Sequence, residues 1–209
     1  MPTLLVVNSS PFSETSVSRG LTSEFVENWK KANPTGKVII RDLAASNLKT
    51  IDAAWVGAAY TPKDARSAEQ TEALVLSATL LAELRAADEY VLGVPMHNFG
   101  VPAVLKLWID QIARVGETFS YASGAPKGLL IGKRATFLVA TGGAYDAGTQ
   151  MASFNHVEPY LRDVFGFLGV TDTTFLSAGG AAALMQGQTD RATFLQPHFE
   201  AIRSQFAAA

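Results

Sequence analysis

Cysteine is absent from the 209 residues, which excludes disulfides and thiolate metal sites. Histidine is scarce, and the three present (His97, His156 and His198) stand far apart with no ligand spacing between them, so no metal site is expected. No stretch approaches the roughly 18 uninterrupted apolar residues of a membrane helix. Charge of one sign is lacking too: 17 basic and 19 acidic residues leave a net charge of -2 with no basic run, which removes the electrostatic case for nucleic acid. Neither glycine-rich phosphate signature occurs, neither G-x-G-x-x-G nor the lysine-bearing Walker pattern. The opening "MPTLLVVNSS" has no basic segment followed by a long apolar stretch, so no signal peptide is expected and a soluble, cytoplasmic protein is the natural reading. What is plentiful is apolar surface. At 48% hydrophobic, the chain predicts a large core, a buried subunit interface, or both.

Strand and helix signals alternate along the chain, as in a layered α/β fold with a mainly parallel sheet. "TLLVVN", "KVIIRDL", "EYVLGVP", "RATFLVAT" and "VTDTTFL" are short, rich in branched residues and bounded by polar or glycine punctuation. All but the last are continuously apolar, the pattern of strands covered on both faces. In the first helix Leu21, Phe25 and Trp29 recur every four residues. In a later one Val101, Val104, Leu105, Trp108, Ile112 and Val115 form one stripe, with Lys106, Asp110 and Arg114 opposite. Residues 69–87 read as one apolar helix, and Phe194, Phe199, Ile202 and Phe206 mark a last helix that Pro197 should kink or restart. The long segment 44–67 reads as irregular; its Trp55 and Tyr60 suit a lid, a subunit contact or simple packing. Right-handed crossovers would place helices on both faces of the sheet and ligands at the carboxyl ends of its strands.

The loop after the first strand, "NSSPFSETSVSRG", carries six hydroxyl side chains in ten positions: Ser9, Ser10, Ser13, Thr15, Ser16 and Ser18. Hydroxyls beside the free amides of a helix N-terminus suit a compact phosphate dianion better than a pyrophosphate. Plain helix capping would explain the same residues. Arg19 sits in the first turn, where the helix dipole disfavours a cation, consistent with a nearby anion or with solvation.

The third strand stops at Pro95, and "MHNFG" follows at the same edge of the sheet. Met96 and Phe99 offer apolar contacts, Asn98 donates and accepts, and Gly100 permits close backbone approach. After the fourth strand, Gly142 and Gly143 free the backbone to bring amides toward a ring edge. One loop suited to phosphate and two suited to a flat heterocycle point to a single ligand. With these residues in place, the chain resembles the FMN-dependent NADH-azoreductase family of flavodoxin-like NAD(P)H:quinone oxidoreductases. The resemblance rests on "SS" at 9–10, "SVS" at 16–18, "PMHNF" at 95–99, "ATGG" at 140–143, "GETFSY" at 116–121 and "PYLRDVFGFLGV" at 159–170.

The resemblance implies a flavodoxin-like three-layer α/β/α sandwich whose five-stranded parallel sheet has the order 2-1-3-4-5, as one domain over 1–209 with an elaborated loop at about 44–67. It implies noncovalent FMN held by Ser10, Ser16, Val17, Ser18, Met96, His97, Asn98, Phe99, Ala140, Thr141, Gly142 and Gly143. It implies also a homodimer with active sites at the interface. Two positions depart from the family pattern: His97 stands where tyrosine is usual, and Thr141 where some members carry arginine. The expected reaction takes hydride from NADH or NADPH and reduces quinones and aromatic azo compounds by a ping-pong cycle. No side chain is expected to be an obligate catalyst, since flavin N5 carries the chemistry. Phe99 and Tyr121 are expected to touch substrate, with Phe119 beside them and Phe165 or Phe167 reaching across from a second subunit. A flavodoxin-type electron carrier and a general flavin or nitro reductase are the alternatives.

Overall fold

The computed structural model describes residues 1–207. Five parallel strands form the central sheet: β1 (Thr3–Asn8), β2 (Lys37–Asp42), β3 (Glu89–Pro95), β6 (Arg134–Ala140) and β7 (Asp172–Ala178), in the order β2-β1-β3-β6-β7. Between β3 and β6 in sequence, β4 (Phe119–Ser120) and β5 (Lys127–Gly128) pair only with each other, as a small antiparallel hairpin. Counted within the sheet alone, the order is the expected 2-1-3-4-5. The last strand lies two residues beyond the "VTDTTFL" run, starting at Asp172 and ending at Ala178.

Helices cover both faces. On one side lie α1 (Val17–Ala32) and α8 (Arg191–Ala207); their face of the sheet buries Leu4, Val6, Val91 and Leu138 against Leu21, Phe25, Trp29, Leu195 and Ile202. On the other lie α4 (Val75–Ala86), α5 (Ala103–Ile112) and α6 (Val157–Leu168), packed on Leu5, Leu92, Val94 and Phe137 through Leu80, Leu84, Leu105, Trp108 and Phe165. Alternate residues of each strand thus serve opposite layers, which is why the central strands read as unbroken apolar runs. The reading of double coverage fails at β2, an edge strand whose Ile40 is 66% exposed.

Several other expectations give way to packing. Residues 44–67 are not irregular throughout, since α2 (Ala53–Tyr60) forms there, capped by the Asp52 side chain, which accepts from the Trp55 amide. Residues 69–87 split into α3 (Ala68–Ala73) and α4 at Leu74, whose buried side chain anchors the break. Pro197 does not restart the last helix, because α8 runs through it while Leu195, Ile202 and Phe206 dock it on α1. A short helix, α7 (Ala182–Met185), precedes it. Arg114 does not face solvent. Helix α5 ends before it, so the helical periodicity no longer governs its direction, and its guanidinium turns inward to donate to Ser77 Oγ at 3.1 Å. It also lies 5.9 Å from the Trp55 ring, and Trp55 in turn donates to Gln111 Oε1 at 3.0 Å. Trp55 is therefore a packing residue in this chain, whereas Tyr60 stands exposed.

Candidate functional site

Parallel strands place the carboxyl ends of β1, β3 and β6 side by side, and the three loops leaving them meet there. Register sets the meeting: Asn8 lies opposite Gly93, and Pro95 opposite Ala140. The loops are then stitched to one another. Ser9 donates from both its amide and its hydroxyl to the Gly93 carbonyl, at 3.2 and 2.8 Å, and the Met96 amide donates to the Ala140 carbonyl at 2.8 Å.

The serine loop ends in the N-terminus of α1. Ser16 is the cap residue, accepting from the Arg19 amide at 3.2 Å, and its hydroxyl lies 3.2 Å from that of Ser18. Ser10, Ser16 and Ser18 are all buried, so their hydroxyls lie within the packed loop rather than on a solvated turn. The amides of the first helical turn, Val17 and Ser18 among them, have no carbonyl partner within the helix. The helix end can come this close to β3 because of Gly93: a Cβ there would meet Thr22 Cγ2 at 2.8 Å and the Ser18 carbonyl at 3.1 Å.

Arg19 is committed within the protein rather than aimed at a ligand. It makes a two-pronged ion pair with Asp42 at 2.7 and 2.8 Å and donates to the Ser10 carbonyl at 2.7 Å, which ties the loop to the end of β2. Hydrogen bonding from Arg19 holds the Asp42 carboxyl below its usual range.

The loop after β3 is a tight turn closed by two hydrogen bonds between His97 and Gly100, at 2.9 and 3.0 Å. Its two central residues are both left-handed, Asn98 with φ 48° and Phe99 with φ 70°. That conformation is ordinary for asparagine but costs an aromatic residue on the order of 1–2 kcal/mol. The strain holds the Phe99 ring at the surface, 40% exposed, against Phe154 at 5.2 Å and Tyr145 at 6.3 Å. His97 is exposed, while Met96 packs on the core below.

In the loop after β6 the carbonyls are turned away from the other two loops. Those of Thr141, Gly142 and Gly143 accept from the amides of Ala181, Ala182 and Gly180 at 2.9, 3.1 and 3.0 Å. In a trans peptide the amide points opposite to the carbonyl. The amides of Gly142, Gly143 and Ala144 are thereby directed back toward the shared edge. The Thr141 side chain is buried and donates to the Gly143 carbonyl at 2.7 Å, and its amide donates to the Ala178 carbonyl at 3.0 Å, so both donors of this residue are used within the protein and the outward amides begin at Gly142.

The remaining predicted residues lie elsewhere. Phe165 is fully buried between Trp108, Phe137 and Tyr90 and cannot reach a second subunit. Tyr121 does not join the Phe99 cluster. It follows β4, and the β4–β5 hairpin leans on the C-terminal turn of α6, where Gly128 abuts Gly169 at the amino edge of the sheet. There Tyr121 (54% exposed) and Phe167 (40% exposed) flank Phe119 at 5.6 and 4.8 Å. The chain thus carries two separate exposed aromatic clusters, one at each edge. His156 gives its amide to the Phe99 carbonyl at 3.1 Å, and His198 lies beside Phe194, where burial lowers its pKa. Among the described residues no group of three or more His, Asp or Glu side chains could hold a metal, and no helix is long and apolar enough to cross a membrane.

Tyr145, Phe154 and Asp42 belong to the neighbourhood of the three loops but were not anticipated. Tyr145 directly follows the "ATGGA" turn, which was the available signal; nothing local marks the other two.

The profile of a family described by its flavodoxin-like fold matches residues 2–205. A protein of Acidobacterium capsulatum named FMN-dependent NADH:quinone oxidoreductase is 54% identical over 97% of this chain and 98% of its own length. One from Burkholderia lata, with the same name and the number 3, is 50% identical over 98% of this chain and 99% of its own. A solved FMN-dependent NADH-azoreductase from Bacillus anthracis, in complex with FMN, superposes with a TM-score of 0.86 at 25% identity, covering 99% of this chain and 98% of that one.

Proposed function

The chain belongs to the family of flavodoxin-like fold, and from that premise we propose that it is a cytoplasmic FMN-dependent NADH:quinone oxidoreductase that also reduces aromatic azo compounds, with NADH or NADPH as donor. The observation that carries the reading is the convergence of three loops of different chemistry on one edge of the sheet, in a chain half identical to relatives of that name. Their donor set fits FMN. Buried hydroxyls at a helix N-terminus suit a phosphate monoester, a surface aromatic suits one face of a ring, and outward main-chain amides suit its polar rim.

A bound FMN would supply the two-electron redox chemistry that links the nicotinamide donor to the acceptor. The residues bind and orient. Ser10, Ser16 and Ser18, with the amides of Val17 and Ser18, would hold the phosphate. Met96, Asn98 and Phe99 would line the ring, and the loop from Ala140 to Gly143 would bring the Gly142 and Gly143 amides to its pyrimidine edge. Donor and acceptor then take turns in one pocket, which predicts parallel reciprocal plots.

His97, exposed beside Phe99, would orient the acceptor. Replacing it with phenylalanine should shift the ratio of kcat/KM between quinones several-fold while kcat changes less than about threefold; near-complete loss of acceptor reduction would instead make it a proton donor.

The active unit we propose is a homodimer. Among the described residues Phe99 is 40% exposed in one cluster, and Tyr121 and Phe167 are 54% and 40% exposed in the other, so each cluster presents apolar surface to water. A two-fold pairing would bring each onto the other and remove both apolar patches from water. Purified protein should be yellow, bleach anaerobically on adding NADH, and regain colour with a simple quinone. Colourless protein without affinity for FMN would overturn the proposal, and bleaching that no quinone reverses would favour an electron carrier.

A further inference from the structure

A cradle made of main-chain amides works only if its peptide planes are held at the right rotation. On the β6 loop the 180–182 turn does this. At the phosphate loop the corresponding anchor comes from the far end of the chain. Arg191, the first residue of α8, donates from Nη1 to the Thr15 carbonyl at 2.9 Å and from Nη2 to the Ser16 carbonyl at 2.7 Å. Because carbonyl and amide point oppositely across a trans peptide, gripping these two oxygens sets the direction of the Ser16 and Val17 amides.

Two features keep the guanidinium in place. Asp190 caps α8, accepting from the Thr193 amide at 2.9 Å and the Thr193 hydroxyl at 2.6 Å, which fixes the position of the first turn. Gly20 leaves the space that Arg191 fills, since a Cβ there would lie 2.9 Å from Nη2. A cation at a helix N-terminus is unfavourable, and no carboxylate pairs with Arg191 among the described ion pairs; its charge is spent on the two carbonyls.

We propose that Arg191 is a positioning residue for the FMN phosphate, which turns the Thr15–Ser16 and Ser16–Val17 peptides so that their amides face the anion without touching it itself. The proposal rests on the functional reading above and adds to it a residue at the opposite end of the sequence. It predicts a discrimination that a general packing role would not produce: loss of Arg191 should weaken FMN, which has the phosphate, and spare riboflavin, which lacks it.

The test is titration of the full chain, freed of flavin, with FMN and with riboflavin, followed by quenching of flavin fluorescence. Arg191→Gln should raise the FMN Kd about tenfold, roughly the loss of one well-aimed charge-assisted hydrogen bond, and leave the riboflavin Kd within about twofold. Arg191→Lys, with one point charge for two carbonyls, should fall between. Gly20→Ala, which displaces the guanidinium without removing it, should behave as Arg191→Gln does and serves if that variant folds poorly. Equal weakening of both flavins, or no change in FMN, overturns the proposal while leaving the functional reading intact. An unaltered chain that binds neither flavin overturns both.

Discussion

Proline at position 17 is expected to weaken FMN binding about 10- to 100-fold and to leave riboflavin binding nearly unchanged. Val17 is the first residue of α1, the one helical position where proline is well accommodated. Its predecessor Ser16 already has the extended backbone that proline demands, with φ -66° and ψ 124°. The substitution therefore removes one N–H and little else from the fold. Val17 is buried, so trimming its side chain costs on the order of 1 kcal/mol of stability. A hydrogen bond to a charged group is worth about 1.5–3 kcal/mol, and each 1.4 kcal/mol is tenfold in affinity. Titration with both flavins separates the lost donor from general damage. Unaltered FMN affinity would mean the phosphate lies elsewhere.

Alanine at position 128 should lower the melting temperature by roughly 5–10 °C, the equivalent of about 2–3 kcal/mol for a chain of this size. A Cβ there would stand 2.2 Å from the Gly169 nitrogen, 2.4 Å from its Cα and 2.4 Å from the Leu168 carbonyl carbon. All three are backbone atoms, with no flexible side chain to swing aside. Gly169 is itself fixed, since it closes α6 in the left-handed conformation with φ 103°, and the adjacent Leu130 amide donates to the Leu168 carbonyl at 2.9 Å. The hairpin must lift off α6 or the helix end must unwind, and either moves Tyr121. Acceptor reduction should fall along with stability. Gly124→Ala, at the hairpin's open tip, meets no atom within 4 Å and should cost only its positive φ, about 1 kcal/mol. Matching melts for the two variants would show that the Gly128 contact opens freely.

The fold was legible because each central strand is covered on both faces and therefore carries an unbroken apolar run, while Leu21, Phe25 and Trp29 repeat at helical spacing. Legibility ended where burial is decided by tertiary contacts. Arg114 lies two residues past the end of α5, and Phe165 carries no mark to tell a core aromatic from an exposed one. The loops of the candidate site were readable through residues that shape backbone: serines at a cap, Pro95, and paired glycines. Their anchors were not. Arg191 lies 175 residues from the carbonyl of Ser16, and Asp42 lies 23 from Arg19, separations over which no local pattern operates. The left-handed Phe99 is likewise invisible, because sequence propensity argues against it.

The placement of the two aromatic clusters at opposite edges of one chain has a genetic consequence if each copy walls the other's pocket. A subunit with Val17→Pro and a subunit with Tyr121→Ala are each defective as homodimers, in different halves of a composite pocket. Mixed, they form heterodimers in which both lesions fall on one pocket and the other is wild type. Co-expression should therefore restore activity by complementation, up to about a quarter of the wild-type level under random pairing, since half the dimers are mixed and each carries one sound site. Activity no higher than the average of the two parents would mean that each chain completes its own pocket.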